Sequence, residues 1–178
     1  MRSKSFVLGG ITLLSCLILA SPAAAQPEIR AGTVAAGAAL GLQGDTADGT
    51  AFAVTVNGDY FLSHNISIGP LLQLGFTGDL TQVGVSLQGK LTVDVPEVPN
   101  LTPHVQAGIG FIRAHLDRGA LPSTNDTSFL IPVGVGAAYY LSPRFALDST
   151  VLLNFTDLDL ARNENFFVTW VIGVKYHF

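Results

Sequence analysis

The chain has 178 residues, of which 48% are hydrophobic and 12% charged, and its formal net charge is −4. That length gives room for one domain with a sizeable core, and so acidic a chain offers no basic surface for nucleic acid. A single cysteine, Cys16, leaves no disulfide framework and no multi-cysteine metal centre to consider.

In chain order, the first segment is a leader. Arg2 and Lys4 give a basic start, FVLGGITLLSCLILA an apolar run, and Ala23 and Ala25 the small residues of an A-x-A site. Residues 1–25 therefore read as a secretory signal peptide cleaved after Ala25. The apolar run falls short of the roughly 20 residues that a membrane-spanning helix needs. Cys16 is followed by Leu17, Ile18, Leu19 and Ala20, where an acylated lipoprotein would begin a polar tether. Without Arg2 and Lys4, seven basic residues face thirteen acidic ones, a net charge of −6, and no cysteine remains.

From residue 26 to 178, a single domain, the chain shows no long amphipathic helix. Eight alternating segments follow one another, at about 31–43, 50–62, 66–77, 81–95, 102–116, 128–141, 145–156 and 166–178. Glycine is frequent, and each one inside a helix would cost about 1 kcal/mol relative to alanine, so strands are the expected element. In the second segment Phe52, Val54, Val56, Tyr60 and Leu62 oppose Ala53, Thr55, Asn57, Asp59 and Phe61. In the fourth, Val83, Val85, Leu87, Leu91 and Val93 oppose Gly84, Ser86, Gln88, Lys90, Thr92 and Asp94. In the last, Phe166, Val168, Trp170, Ile172, Val174, Tyr176 and Phe178 oppose Phe167, Thr169, Val171, Gly173, Lys175 and His177.

The weaker face of these strands decides the environment. A soluble sandwich exposes many long charged side chains to water, whereas here the second face is mainly Gly, Ala, Ser, Thr, Gln and Asn. Small polar residues suit the interior of a narrow barrel, which leaves the apolar face to meet hydrocarbon. Compact connections at 63–65, 96–100 and 142–144 follow strands two, four and six. Longer polar connections at 43–49, 117–127 and 157–165 are expected at the opposite end. Tyr60, Phe61, Phe76, Phe111, Tyr139, Tyr140, Phe145, Phe155 and Phe166 lie near segment ends, where aromatic girdles meet lipid and water.

The charges Asp59, Lys90, Asp94, Asp148 and Lys175 are expected inside such a barrel, with Asn57, Gln73, Gln88, Gln106 and Asn154. Charges in a confined interior need partners. A salt-bridged plug joining Lys90 or Lys175 to Asp59 or Asp148 meets that need, and a permeation or binding role for the same residues is the alternative. The histidines His64, His104, His115 and His177 form neither HExxH nor a three-ligand cluster, so neither a metal nor a cofactor is expected.

Taken together, the leader, the eight segments, the connections and the terminal alternation ending on Phe178 resemble the small bacterial outer-membrane β-barrels of the OmpA/OmpX-like group. The resemblance implies an all-β, eight-stranded antiparallel transmembrane barrel in the bacterial outer membrane. It further implies that Trp170, Ile172, Val174, Tyr176 and Phe178 form the signature read by the outer-membrane assembly machinery. Outer-membrane lipids and lipopolysaccharide are the other implied partners. The expected function is structural or surface-interacting without catalysis. The alternatives are a narrow channel or small-ligand barrel and, behind these, a lipid-modifying hydrolase, since some such barrels deacylate lipid A. His115, beside Asp117, Ser123 and Asp126, is the better-placed histidine for that last chemistry.

Overall fold

The computed structural model describes residues 29–46, 48–117, 123–159 and 163–178. The expected leader and Cys16 lie outside the described residues. Eight strands follow in order: β1 (Val34–Thr46), β2 (Gly49–Phe61), β3 (Ile66–Phe76), β4 (Leu80–Thr92), β5 (Leu101–Leu116), β6 (Thr124–Tyr140), β7 (Phe145–Asp159) and β8 (Asn163–His177). Each is antiparallel to the next, and β1 pairs with β8 from Ala35↔His177 to Gly44↔Val168. The Phe178 N–H donates to the Val34 carbonyl at 2.9 Å. The sheet closes into a barrel, as expected, and leaves no edge strand with unpaired backbone groups.

Strand ends differ from the sequence reading. β1 continues to Thr46, β6 starts at Thr124, β7 runs to Asp159 and β8 starts at Asn163. Strand therefore extends into each of the long polar connections expected at 43–49, 117–127 and 157–165, covering 43–46 and 49, 124–127, and 157–159 and 163–165. Apart from Leu158, the paired residues in these stretches are polar or glycine, so apolar alternation could not reveal the pairing that continues there. At the opposite end the chain crosses between strands at 62–65, 93–100 and 141–144.

Burial alternates along each strand, but with the polarity of a soluble protein reversed. Leu87 is 54% exposed and its neighbour Gln88 only 2%. Leu40, Val85, Ile109, Phe111 and Val135 also point outward, while Gln43, Gln73, Gln82, Asn154 and Thr169 are buried inside.

Two aromatic belts bound the apolar surface. Phe52 pairs with Phe76, Phe111 with Phe129 and Phe155 with Phe166 at one level. Tyr60, Tyr139, Phe145, Tyr176 and Phe178 form the other, with Tyr176 edge-on to Phe145 and Phe178 at 5.1 and 4.9 Å. Phe129 to Tyr139 and Phe166 to Tyr176 are each about ten residue steps, or about 26 Å along the axis once strand rise and a tilt of about 40° are counted, which matches the usual apolar band. Phe61 and Tyr140, expected in the girdle, instead turn inward, at 3% and 4% exposure.

Inside, the side chains form layers. Leu80, Ile112, Ala114, Leu116, Leu130, Leu158 and Phe167 cluster at the hairpin end. An amide layer follows, with Gln43 Nε2 donating to Gln82 Oε1 at 2.5 Å, Gln73 Nε2 to Asn154 Oδ1 at 2.9 Å and Asn154 Nδ2 to Thr169 Oγ1 at 3.0 Å. Charged residues come next, and at the terminal end Ala35, Phe61, Ala138, Tyr140 and Ala146 join Ile29 in a second apolar cluster. Gly84 makes room for this filling: a Cβ there would lie 2.8 Å from Leu130 Cδ2, so a methyl group would require the Leu130 side chain to shift.

Candidate functional site

Four of the five charges expected inside meet in one layer. Asp59 Oδ2 lies 3.0 Å from Lys175 Nζ and 3.3 Å from Lys90 Nζ, and Lys175 Nζ is 3.6 Å from Asp148 Oδ2. Asn57 Nδ2 adds a hydrogen bond to Asp59 Oδ2 at 3.0 Å. Asp94 does not belong to this layer. It lies past the end of β4, on the connection to β5, where its carboxylate meets His64 Nε2 at 2.9 Å. The alternation that placed it inward ends with the strand at Thr92.

The charged residues sit on non-adjacent strands and meet because the strands between them are nearly bare inside. Lys175 on β8 reaches Asp59 on β2 across β1, whose inward positions are Ala35, Gly37, Ala39 and Gly41. A Cβ on Gly37 would come within 2.6 Å of Asn57 Oδ1. Lys90 on β4 reaches Asp59 over Ser67 and Gly69 of β3. His104 on β5 meets Thr150 on β7 at 3.2 Å across Gly136 of β6, where a Cβ would stand 2.6 Å from His104 Nε2.

His104 and Thr150 are members that the sequence reading missed. Their signal is the glycine on the intervening strand, which pairs with His104 on one side and Thr150 on the other.

Asp148, His104 and Thr150 together carry the residue types of a catalytic triad, but the proton order is wrong for one. Thr150 Oγ1 donates to Asp148 Oδ1 at 2.7 Å, so its oxygen serves His104 as an acceptor. Its surroundings are also closed. A void beside it measures about 20 Å³, room for about one water molecule, and is lined by Gln88, Gln106, Lys90, Lys175 and Asp148 among others. Neither amide atom of Gln88 has a protein partner.

Elsewhere, His115 Nδ1 contacts Asn125 Oδ1 at 2.6 Å on the outer face of the β5–β6 hairpin. His177 is 4% exposed and packs between Phe61 and Tyr140, with ring centroids 5.9 and 5.5 Å away. No group of three or more potential metal ligands occurs among the described residues.

Trp170, Ile172, Val174 and Phe178 stand outward, between 45% and 75% exposed, and Tyr176 shares their face. The Trp170 indole N–H donates to Ser149 Oγ at 3.3 Å, which satisfies the indole on an otherwise apolar surface.

A closed even-stranded barrel, apolar outside between two aromatic belts and polar within, is a transmembrane β-barrel of the bacterial outer membrane. The chain belongs to the family of the outer membrane protein beta-barrel domain, which it matches over residues 11–178. A comparison with curated protein sequences gives no match.

Among solved structures the chain is similar to Neisserial surface protein A, with 18% identity and a TM-score of 0.66 over 82% of this chain and 96% of that one. The N-terminal β-barrel domain of Pseudomonas aeruginosa OprF gives 16% identity and a TM-score of 0.59, covering 83% and 98%. Ail, the attachment invasion locus protein of Yersinia pestis, gives 14% and 0.57, covering 84% and 100%. At these identities the likeness is one of fold.

Proposed function

We propose that this protein is a non-conducting outer-membrane barrel with a structural or surface-interacting role and no catalytic turnover. The observation that carries this reading is the filled lumen, in which a paired charge layer lies between apolar layers at both ends. Eight strands leave an interior that side chains can fill, and a paired interior fixes the barrel without forming a path. The Asp59, Lys90, Lys175 and Asp148 network acts as an internal staple, and Asp94 acts outside it.

Both termini lie at the periplasmic end in this reading. Support comes from the hairpin end, where β5 and β6 continue five residues beyond Phe111 and Phe129 while the other end stops at its aromatic belt. The β5–β6 and β7–β8 hairpins then stand at the cell surface. Trp170, Ile172, Val174, Tyr176 and Phe178 serve as the assembly signature, and lipids including lipopolysaccharide surround the band.

One solved structure of Ail is a complex with the heparin analogue sucrose octasulfate. Polyanion binding does not carry over to this chain. Among the described residues its hairpin end holds Asp45, Asp48, Asp79, Asp117, Asp126 and Asp157 against Arg113, a balance that favours cationic partners.

Planar-bilayer recording on the refolded protein tests this function. The expected record shows no sustained conductance steps. Reproducible open levels would overturn the reading in favour of a narrow channel or small-solute barrel.

A further inference from the structure

The segment ahead of β1 does not simply leave the barrel. Gly32, at φ +91°, adopts a left-handed backbone that turns the chain back on itself. Thr33 N donates to Arg30 O at 3.1 Å, Gly32 N to Phe61 O at 2.8 Å and Phe61 N to Thr33 O at 2.9 Å. The reversal inserts Ile29, 8% exposed, into the apolar cluster formed by Ala35, Phe61, Ala138, Tyr140 and Ala146 at the barrel mouth. Behind that cluster lies the layer of Asp59, Lys90 and Lys175.

One side chain from another element holds this segment in place. His64, on the β2–β3 connection, has Nδ1 3.0 Å from the Ile29 carbonyl oxygen and Nε2 2.9 Å from Asp94 Oδ2. Both partners are acceptors. Only an imidazolium carries hydrogens on both ring nitrogens and can serve both at once. Asn65 steadies the arrangement from the same connection, donating to the Thr92 carbonyl at 3.1 Å and to Asp94 at 3.5 Å. The charged and polar groups brought to His64 by the packed elements are thus the Ile29 carbonyl, next in sequence to Arg30, and the Asp94 carboxylate.

We propose that residues 29–33 form a latch that seals the terminal mouth of the lumen, with Ile29 as the stopper and doubly protonated His64 as the catch. Released, the segment admits water and small solutes to the charged layer from that mouth. The apolar layer at the other end is untouched, so opening the latch adds no conductance, and the latch and the non-conducting reading fail separately.

Labelling of a lumen thiol tests the latch. Ser67 is 1% exposed, faces the lumen and has a hydroxyl with no partner, so Ser67→Cys is a mild change. In a Cys16→Ala background it is the sole thiol. The measurement is its rate of reaction with a small cationic methanethiosulfonate in detergent, with barrel integrity followed by heat-modifiable gel migration.

The added substitutions Ile29→Ser, His64→Ala and Asp94→Asn should each raise the rate, the His64 variant about tenfold or more, as expected for loss of a charge-assisted hydrogen bond. Asp94 is 45% exposed at its side chain, so its variant keeps the test alive if another fails to refold. Equal rates in intact barrels with and without Ile29→Ser would overturn the latch. A rise with Ile29→Ser alone would overturn His64 as its catch.

Discussion

Lys175 holds more of the interior together than Lys90 does, because its Nζ bridges Asp59 at 3.0 Å and Asp148 at 3.6 Å while Lys90 pairs only with Asp59, at 3.3 Å. Removing one partner of a buried pair costs about 3–5 kcal/mol, since the remaining charge stays buried. Lys175→Met should therefore destabilise the barrel by about that much, and Lys90→Met by less. Urea unfolding in lipid vesicles measures both, and equal effects would show that Asp148 does not rely on Lys175.

His64 behaves differently because it stands outside the membrane span. The Ile29 carbonyl raises its pKa above the ordinary imidazole value, burial opposes that rise, and the Asp94 carboxylate adds to it through its hydrogen bond and charge. A raised folded-state pKa means that the contribution of the catch is complete below about pH 6.5, the unfolded value, and fades as pH rises through the folded one. The labelling rate of Ser67→Cys, divided by that of the same thiol with His64→Ala to cancel thiolate ionisation, should climb through this window. A flat ratio would mean that the charge on His64 does not matter.

Strands carry the next level of the account, and β4 shows both of its environments in adjacent residues. Leu87→Arg places a cation on the lipid face and should cost about 2–4 kcal/mol near the midplane. Gln88→Leu removes an amide with no protein partner and should be close to neutral or stabilising, because an unpaired buried polar group is costly to keep. Refolding yield and unfolding midpoint in vesicles would separate the two. Similar losses at both positions would contradict the assignment of faces.

On β8, deletion of Phe178 should slow assembly in cells more than it weakens protein already refolded in lipid. Time-resolved protease protection set beside vesicle unfolding tests this, and unchanged assembly would remove the signature role.

Parity along a strand was legible from sequence because it depends only on counting by two, which is how Asp59, Lys90 and Lys175 could be placed inward. Which of them share a layer was not, since that depends on the stagger between strands and on bare positions such as Gly37 and Gly136. Asp94, Phe61 and Tyr140 show the same limit. All three lie near or beyond strand ends, where alternation stops or a girdle and an internal plug call for the same residues. His104 remained unassigned because its partner lies two strands away, across a glycine.

At the scale of the whole molecule, the fold answers two demands at once. Closure satisfies the backbone where lipid offers no hydrogen bonds, and inversion puts the apolar side chains where lipid does not penalise them. In the proposed reading the filled interior then gives the barrel rigidity without a pore. The central claim is the inversion, and the protein carries its own probe for it.

Trp170 is the only tryptophan, 45% exposed on the outer face of β8, and lies four residue steps from Phe166 and six from Tyr176, well inside the two belts. Its fluorescence in vesicles should be quenched strongly by phospholipids brominated deep in the acyl chain and weakly by aqueous iodide. Strong iodide quenching with no effect of bromolipid would contradict the transmembrane barrel.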